Sequence, residues 1–312
     1  MTQVDVMLPH YGRLDLVQAT VRSVLDQVDP NWRLTIVDDS GDAGDDKLGA
    51  WCAGLGDRRV RYERNAHNLG INRNFQKCVS LVEHELAVII GSDDLMLPGY
   101  VRTVRQAHQT HPDVAIIQPG VEVVDEHGEL VRTLVDLSKR WVYAPRAAGP
   151  TVLAGQDLAV SLLRGNWLYF PSICWRAEPL RRIGFREGLS VVQDLALVLD
   201  MVLDGESLLV EPTRCFRYRR HRASVSSAHA ADGRRFAEER GFFIDAAERM
   251  AARGWSRAAA AARHHLSSRI NALTQLPSAV RHGGSGGVRA LVRHAFGGVR
   301  RCRVTTGRRI LP

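Results

Sequence analysis

Three apolar runs near the N-terminus each stop in a polar or acidic tip, and this recurrence constrains the fold more than any other feature. "QVDVMLP" runs into "HYGR", "WRLTIV" into "DDS", and "HELAVII" into "GSDD". Between them lie segments with apolar residues at helical spacing, over residues 13–27, 45–55 and 71–82. A more polar strand, "RRVRYER", precedes the last of these, and "PGYVRTVRQAHQ" continues as a helix with Pro98 in its first turn. This βαβα alternation predicts an α/β fold with a mostly parallel central sheet flanked by helices. In such sheets ligands bind beyond the carboxyl ends of the strands. The polar tips fall at those ends.

Beyond Pro112 the rhythm changes. Short β-like runs are expected over 115–118, 121–124 and 130–135, then a linker-like "YAPRAAGPT" and a helix over 156–163. "FPSICWR" is apolar, "QDLALVLDMVLDG" reads as a helix ended by Gly205, and "SLLVEP" and "TRCFRYRRH" read as two strands. From Asp232 the chain turns helical, and "RHGGSGG" breaks it before a last basic helix over 288–300.

Charge is divided as sharply as structure. The net +8 comes from the tail: residues 249–312 hold 13 arginines and no Asp, Glu or Lys. That leaves 29 basic against 34 acidic residues over 1–248, a net of −5. The main domain therefore has no electrostatic claim on nucleic acid, and none is expected as a partner. The basic helical tail suits peripheral contact with an anionic membrane, or else a plain solvated bundle. Five scattered cysteines without C-x-x-C spacing argue against a disulfide framework or zinc site and fit a cytoplasmic location. No apolar run approaches a membrane span, and no secretory leader is evident.

Asp93 and Asp94 raise the chemical question. Adjacent carboxylates repel, and each makes its neighbour harder to ionise. They suit a hard cation shared with phosphate oxygens, Mg²⁺ or Mn²⁺, but an Asp before a proline-started helix serves equally as an N-cap. "VDDS" alone is an ordinary turn signal. Two neighbouring parallel strands both ending in Asp–Asp gather more negative charge into one crevice than turns require.

These residues resemble family 2 glycosyltransferases, which have the GT-A fold. The matching pieces, in order, are "LPHYGR", "VDDS" with Asp39, "NLGINRN" from Asn68 to Asn74, and the short acidic metal motif Ser92-Asp93-Asp94. In the second half "CWRAEPLRRIGFRE", "VVQDLALVLDM" and "YRRHRASVSS" look like the family's later segments. The resemblance covers residues 4–227, divided into a nucleotide-sugar-binding half (1–112) and an acceptor half (113–227), with 228–312 as a basic helical extension. Gln193 stands where the family usually has glutamate, while Asp194 is retained. His10 stands where a small hydroxyl residue is common.

The resemblance implies an inverting, metal-dependent transfer of a hexosyl-type sugar from a UDP- or dTDP-linked donor to an acceptor hydroxyl. The acceptor would be a sugar, a lipid-linked molecule or a small molecule, in cell-surface polysaccharide, glycolipid or glycosylated-metabolite synthesis. It assigns Pro9, Tyr11, Arg13, Asp39, Asn68, Asn74 and Asp93 to the nucleotide-sugar, with Asp39 facing the base and Tyr11 packing on its ring. Asp94 and His221 become metal ligands, and Asp194 the general base. An N-cap is the plainer use for Asp194, and a solvated basic loop for His221. Trp167, Tyr169 and Phe170 are read as acceptor-stacking or core residues, and Arg73 as facing nucleotide or solvent. Two other functions stand beside this one. A sugar-nucleotide nucleotidyltransferase needs a Gly-rich basic loop after the first strand, which "PHYGRLD" does not supply. A non-catalytic protein binding an anionic polymer through its tail leaves the four aspartates without a shared purpose.

Overall fold

The computed structural model describes residues 2–41, 46–131, 136, 143–145, 149–220, 234–282 and 285–297. In the first strand, β1 (Val4–His10), Val4, Val6 and Leu8 enter one apolar core while Met7 enters another on the opposite face. A strand covered on both sides needs an almost unbroken apolar run, which is why β1, β2 (Trp32–Asp38) and β4 (Leu86–Ile89) read as they do. β1 pairs in parallel with β2 and β4, and β2 with β3 (Val60–Arg64). Helices α1 (Leu14–Leu25), α2 (Lys47–Gly54), α3 (Ile71–Ser80) and α4 (Tyr100–Thr110) supply the covering layers. The one charge inside β1, Asp5, is fully buried and matched by Arg33 and by the backbone N–H groups of Glu83 and His84.

The second half turns the sheet mixed. The strand order is β3-β2-β1-β4, then β8 (Cys174–Arg176), β6 (Ile116–Val124), β9 (Leu208–Arg219) and β5 (Leu95–Met96), with β7 (Thr151–Leu153) paired to β9. β8 runs antiparallel between β4 and β6, and β6 pairs in parallel with β9. The parallel expectation thus holds for the first four strands, and antiparallel pairs appear from β8 onward. Two expected strands, "SLLVEP" and "TRCFRYRRH", are one. Pro212 and Thr213 fall in the register shift between the pairs Pro119–Glu211 and Gly120–Arg214. A Cβ on Gly120 would stand 2.6 Å from the Pro212 carbonyl oxygen, so a glycine there lets the strand pass through its irregularity unbroken.

Helices α5 (Gly155–Arg164), α6 (Ala177–Ile183) and α7 (Gln193–Asp204) pack on the second half, and Gly205 at φ 107° ends α7 as its spacing predicts. The C-terminal helices do not form a separate body from this domain. Phe242, Phe243, Ala246 and Met250 of α8 (Arg234–Ala252) and Ala258, Ala259 and Ala262 of α9 (Ser256–His264) join the same core as α5 and α7. Arg186 reinforces this junction by binding Asp200 of α7 and Asp245 of α8. Only α10 (Leu266–His282) and α11 (Ser285–Phe296) build a smaller cluster of their own, around Phe236. The composition changes near residue 228, but the main core runs across it. Among the described residues no helix is long and apolar enough to cross a membrane.

Candidate active site

The parallel register sets His10 of β1 beside Asp38 of β2, so the first two polar tips meet at one sheet edge. His10 is buried, and among the described residues its Nδ1 finds no hydrogen-bond partner. Burial lowers its pKa below the usual imidazole value, against the pull of nearby Asp38. Asp38 accepts from the Ser40 backbone N–H and hydroxyl at 2.9 and 2.6 Å and from the Tyr62 hydroxyl at 2.7 Å. Burial alone would raise this carboxyl, and the donors outweigh it to hold the pKa below the ordinary range.

Asp39 turns the other way. Its Oδ1 accepts from Asn65 Nδ2 and the Leu69 N–H, both at 2.7 Å, and its Oδ2 from the Gly70 N–H at 2.9 Å. The "NLGINRN" asparagines complete the same brace. Asn68 donates to the Asp39 carbonyl at 2.9 Å, and Asn74 donates to the Val37 carbonyl at 3.2 Å while accepting from Asn65 at 3.0 Å. Asp39, Asn68 and Asn74 therefore fasten the turn before α3 to the end of β2. Pro9 lies within β1 opposite Val37. Tyr11, 70% exposed, stands at the mouth, and Arg13 nearby is exposed and paired with Asp15.

Asp93 and Asp94 occupy the turn between β4 and β5 (Leu95–Met96), and the helix expected at Pro98 begins at Tyr100 with Gly99 as its cap. Asp94 is buried, accepts one hydrogen bond from the Arg219 backbone N–H at 2.8 Å, and is steadied through its own carbonyl by the Thr20 hydroxyl. Burial first, then the neighbouring Asp93 charge, pushes its pKa well above the carboxylate range. The Arg219 guanidinium wraps the same turn, donating to the carbonyls of Asp93, Asp125 and Glu126. Both carboxylates lean over Gly91: a Cβ there would lie 2.5 Å from Asp94 Oδ2 and 3.0 Å from Asp93 Oδ1.

Asp194 is half-buried in the first turn of α7, and its Oδ2 accepts from Asn166 Nδ2 at 3.2 Å. The N-cap position is Val192, so Asp194 stands one residue inside the helix start. Just ahead of the helix Glu238 of α8 holds the approaching chain, its Oε1 accepting from the backbone N–H groups of Ser190, Val191 and Val192 at 2.9, 2.7 and 3.0 Å. Gln193 is buried and satisfied as an amide, accepting from Asn72 at 2.9 Å. Asn72 also donates to the Arg186 and Leu189 carbonyls, so α3 holds the approach to α7. Tyr218 ties the acids together. Burial raises its phenol pKa to about 12, and the charges of Asp94, Asp93 and Asp194 all push the same way. The adjacent pair Asp93 and Asp94 and, about a hundred residues on in the chain, Asp194 thus all act electrostatically on one tyrosine.

Residues 5–155 match the sequence profile of Glycosyl transferase family 2. The chain carries a family 2 glycosyltransferase domain. The uncharacterized protein MT1568 of Mycobacterium tuberculosis (strain CDC 1551 / Oshkosh) is 26% identical over 237 residues, 74% of this chain and 71% of that protein. The crystal structure of S. aureus TarS 1–349 in complex with UDP-GlcNAc gives a TM-score of 0.66 at 14% identity, covering 94% of this chain and 81% of that one. The mannosyltransferase PcManGT from Pyrobaculum calidifontis, in complex with GDP-Man and Mn²⁺, gives 0.59 at 15% identity, covering 94% and 79%. At these identities the structural likeness speaks for the fold, which is GT-A with helices at the C-terminus.

In this glycosyltransferase Asp93 and Asp94 are the residues that could hold a metal. Two carboxylates converging above a bare glycine fit a hard divalent ion that takes its remaining oxygens from phosphates and water. Among the described residues no group of three His, Cys, Asp or Glu side chains forms a fuller cage, and His221 lies outside the described residues. Trp167 and Phe170 pack inward: Trp167 donates to Ser161, and Phe170 stacks on Phe75. Tyr169 instead lies against Tyr218 and donates to Asp136, which Arg220 also binds. Arg73 is exposed. The sequence alone did not single out Asn72, Asn166 or Glu238. Asn72 lay in view inside "NLGINRN" and Asn166 in "GNWLYFPS", but Glu238 carried no local signal at all.

Proposed function

We propose that the chain transfers a hexosyl unit from a nucleoside diphosphate sugar to an acceptor hydroxyl with inversion at the anomeric carbon. The observation that carries this reading is the convergence of the Asp93 and Asp94 carboxylates over Gly91 at the end of β4, where the backbone N–H of Arg219 in β9 holds Asp94. TarS in complex with UDP-GlcNAc and PcManGT in complex with GDP-Man and Mn²⁺ support donors of this class on this fold. The base enters over β1 and β2, where Tyr11 offers an exposed ring and His10 an open Nδ1. Asp39 has three of its roughly four acceptor positions engaged in the brace, and the remaining one is available to a base N–H. UDP- and dTDP-linked donors, which present such an N–H, are favoured. Arg13, Asn68 and Asn74 act here through the shape of the pocket wall.

Asp94 and Asp93 would hold Mg²⁺ or Mn²⁺, which when bound would supply positive charge to offset that of the diphosphate leaving group. The chain's own residues prepare for it: Gly91 keeps the cradle open, and Arg219 fixes both the turn and the Asp94 carboxylate. Asp194 takes the proton from the acceptor hydroxyl as the oxygen attacks, with Asn166 orienting its carboxylate. Glu238 fixes the chain entering α7, and with it the position of Asp194 two residues on. Tyr169, Tyr218 and Asp136 form the wall against which a sugar, lipid-linked or small-molecule acceptor lies, in synthesis of a polysaccharide, glycolipid or glycosylated metabolite. The test is release of nucleoside diphosphate from a panel of sugar nucleotides with and without Mn²⁺. Metal-dependent hydrolysis of at least one donor is expected, and none with any donor would overturn the reading.

A further inference from the structure

Eleven large apolar side chains are exposed among the described residues, and six of them sit on α10 and α11. On α10 these are Leu266, Ile270, Leu273 and Val280, with Pro277 exposed between the last two. At about 100° per residue, the five positions fall within an arc of about 80°. Ser268, Ala272 and Ala279 occupy the other side and are buried against α8 and α11. The stripe is not marginal: Leu266 is 63% exposed and Val280 68%. Helix α11 repeats the pattern in miniature, with Val292 and Phe296, 69% exposed, on the face that carries exposed Arg289 and Arg293.

The charges around these faces say what can cover them. Exposed Arg281 lies about 60° from the centre of the α10 stripe, and Arg269, about 60° to the other side, donates to the Ala295 and Gly297 carbonyls at the end of α11. From Arg249 to the end the chain has 13 arginines and no acid. A second copy of the same surface would bring arginine against arginine, and Pro277 interrupts the regular helix that a knobs-into-holes seam requires. A nucleic acid would answer the arginines but leave the leucine, isoleucine and phenylalanine side chains in water. An anionic phospholipid surface answers both, taking the apolar side chains at the acyl boundary and the arginines among the headgroups.

We infer that the α10–α11 face docks on an anionic phospholipid bilayer, carrying the glycosyltransferase domain as a peripheral membrane protein. The inference is independent of the donor and acceptor proposed above, and its test involves no sugar. The full chain is sedimented with sucrose-loaded vesicles of phosphatidylcholine alone and of phosphatidylcholine mixed with phosphatidylglycerol. Binding is expected only to the mixed vesicles, weakening as salt rises from ~0.1 to ~0.5 M. The paired substitution Ile270→Ser with Leu273→Ser should lower partitioning at least about tenfold. Arg281→Gln and Arg289→Gln should each lower it about fivefold at low salt. All four positions are exposed, so the thermal melt should be unchanged and serves as the control for folding. Equal binding to neutral vesicles, or none to either, would overturn the inference. So would a dimer in sedimentation velocity that Ile270→Ser with Leu273→Ser converts to monomer, since the stripe would then belong to a second copy.

Discussion

Asp39→Asn separates a brace from a reading head. The substitution keeps the shape of the side chain but replaces one acceptor oxygen by an NH₂ group. In the better of its two orientations the amide oxygen stays with Asn65 and Leu69, and the NH₂ then faces the Gly70 N–H, donor against donor. The loss is one hydrogen bond, a buried N–H left unpaired, and the charge assistance on the other two. Together these cost about 2–4 kcal/mol. For a domain of this size that corresponds to a fall in melting temperature of about 5–10 °C, read on the free protein by scanning fluorimetry. Were Asp39 there only to meet the base, the free protein would melt within about 0.5 kcal/mol of the parent and only nucleotide binding would suffer. An unchanged melt therefore refutes the assignment of Asp39 as the fastener of the turn before α3.

Two further outcomes follow from the C-terminal helices. Glu238→Ala frees the three N–H groups before α7 and should cost about 1–2 kcal/mol. Because Asp194 lies two residues beyond Val192, the variant should lower kcat while leaving donor KM near the parent value, which steady-state kinetics checks. His265 and His294 are buried side by side, and burial, then the charge of Arg269, lowers both pKa values to about 4. The unfolded chain takes up these protons from pH 6.5 downward and the folded chain only near 4, so their contribution is intact above 6.5 and lost as pH falls towards 4. Each histidine accounts for at most about 3 kcal/mol of that loss. Protection factors for hydrogen exchange across α8, α10 and α11, taken relative to the intrinsic amide rate at each pH, should fall in that window, and protection that is flat from pH 7 to 4.5 would contradict the assignment.

The strands of the first half were legible because burial on both faces forces an almost unbroken apolar run, and their polar tips could only lie at the sheet edge. The single strand β9 was not, because Pro212 reads locally as a break and the glycine that accommodates it, Gly120, is distant in sequence. Within the site the acids announced themselves by type, but what each carboxylate touches depends on partners far along the chain. Asp39 meets backbone donors 30 and 31 residues on, and Glu238 reaches back 46 residues to Val192. Residue type alone does not report such contacts. The tail shows the same division: its charge was plain in composition, while the exposed stripe on α10 emerged only once the buried face was known.

The two proposed roles, donor binding for Asp94 and proton removal for Asp194, separate in a single pair of assays. Calorimetric titration of UDP or dTDP with Mn²⁺, paired with turnover of the best donor, tests both on the same preparations. Asp94→Ala should lose the metal-dependent part of nucleotide binding, and Asp194→Asn should bind as the parent does while turnover falls at least about 100-fold. Normal transfer by Asp194→Asn, or metal-dependent binding that survives Asp94→Ala, would contradict the account.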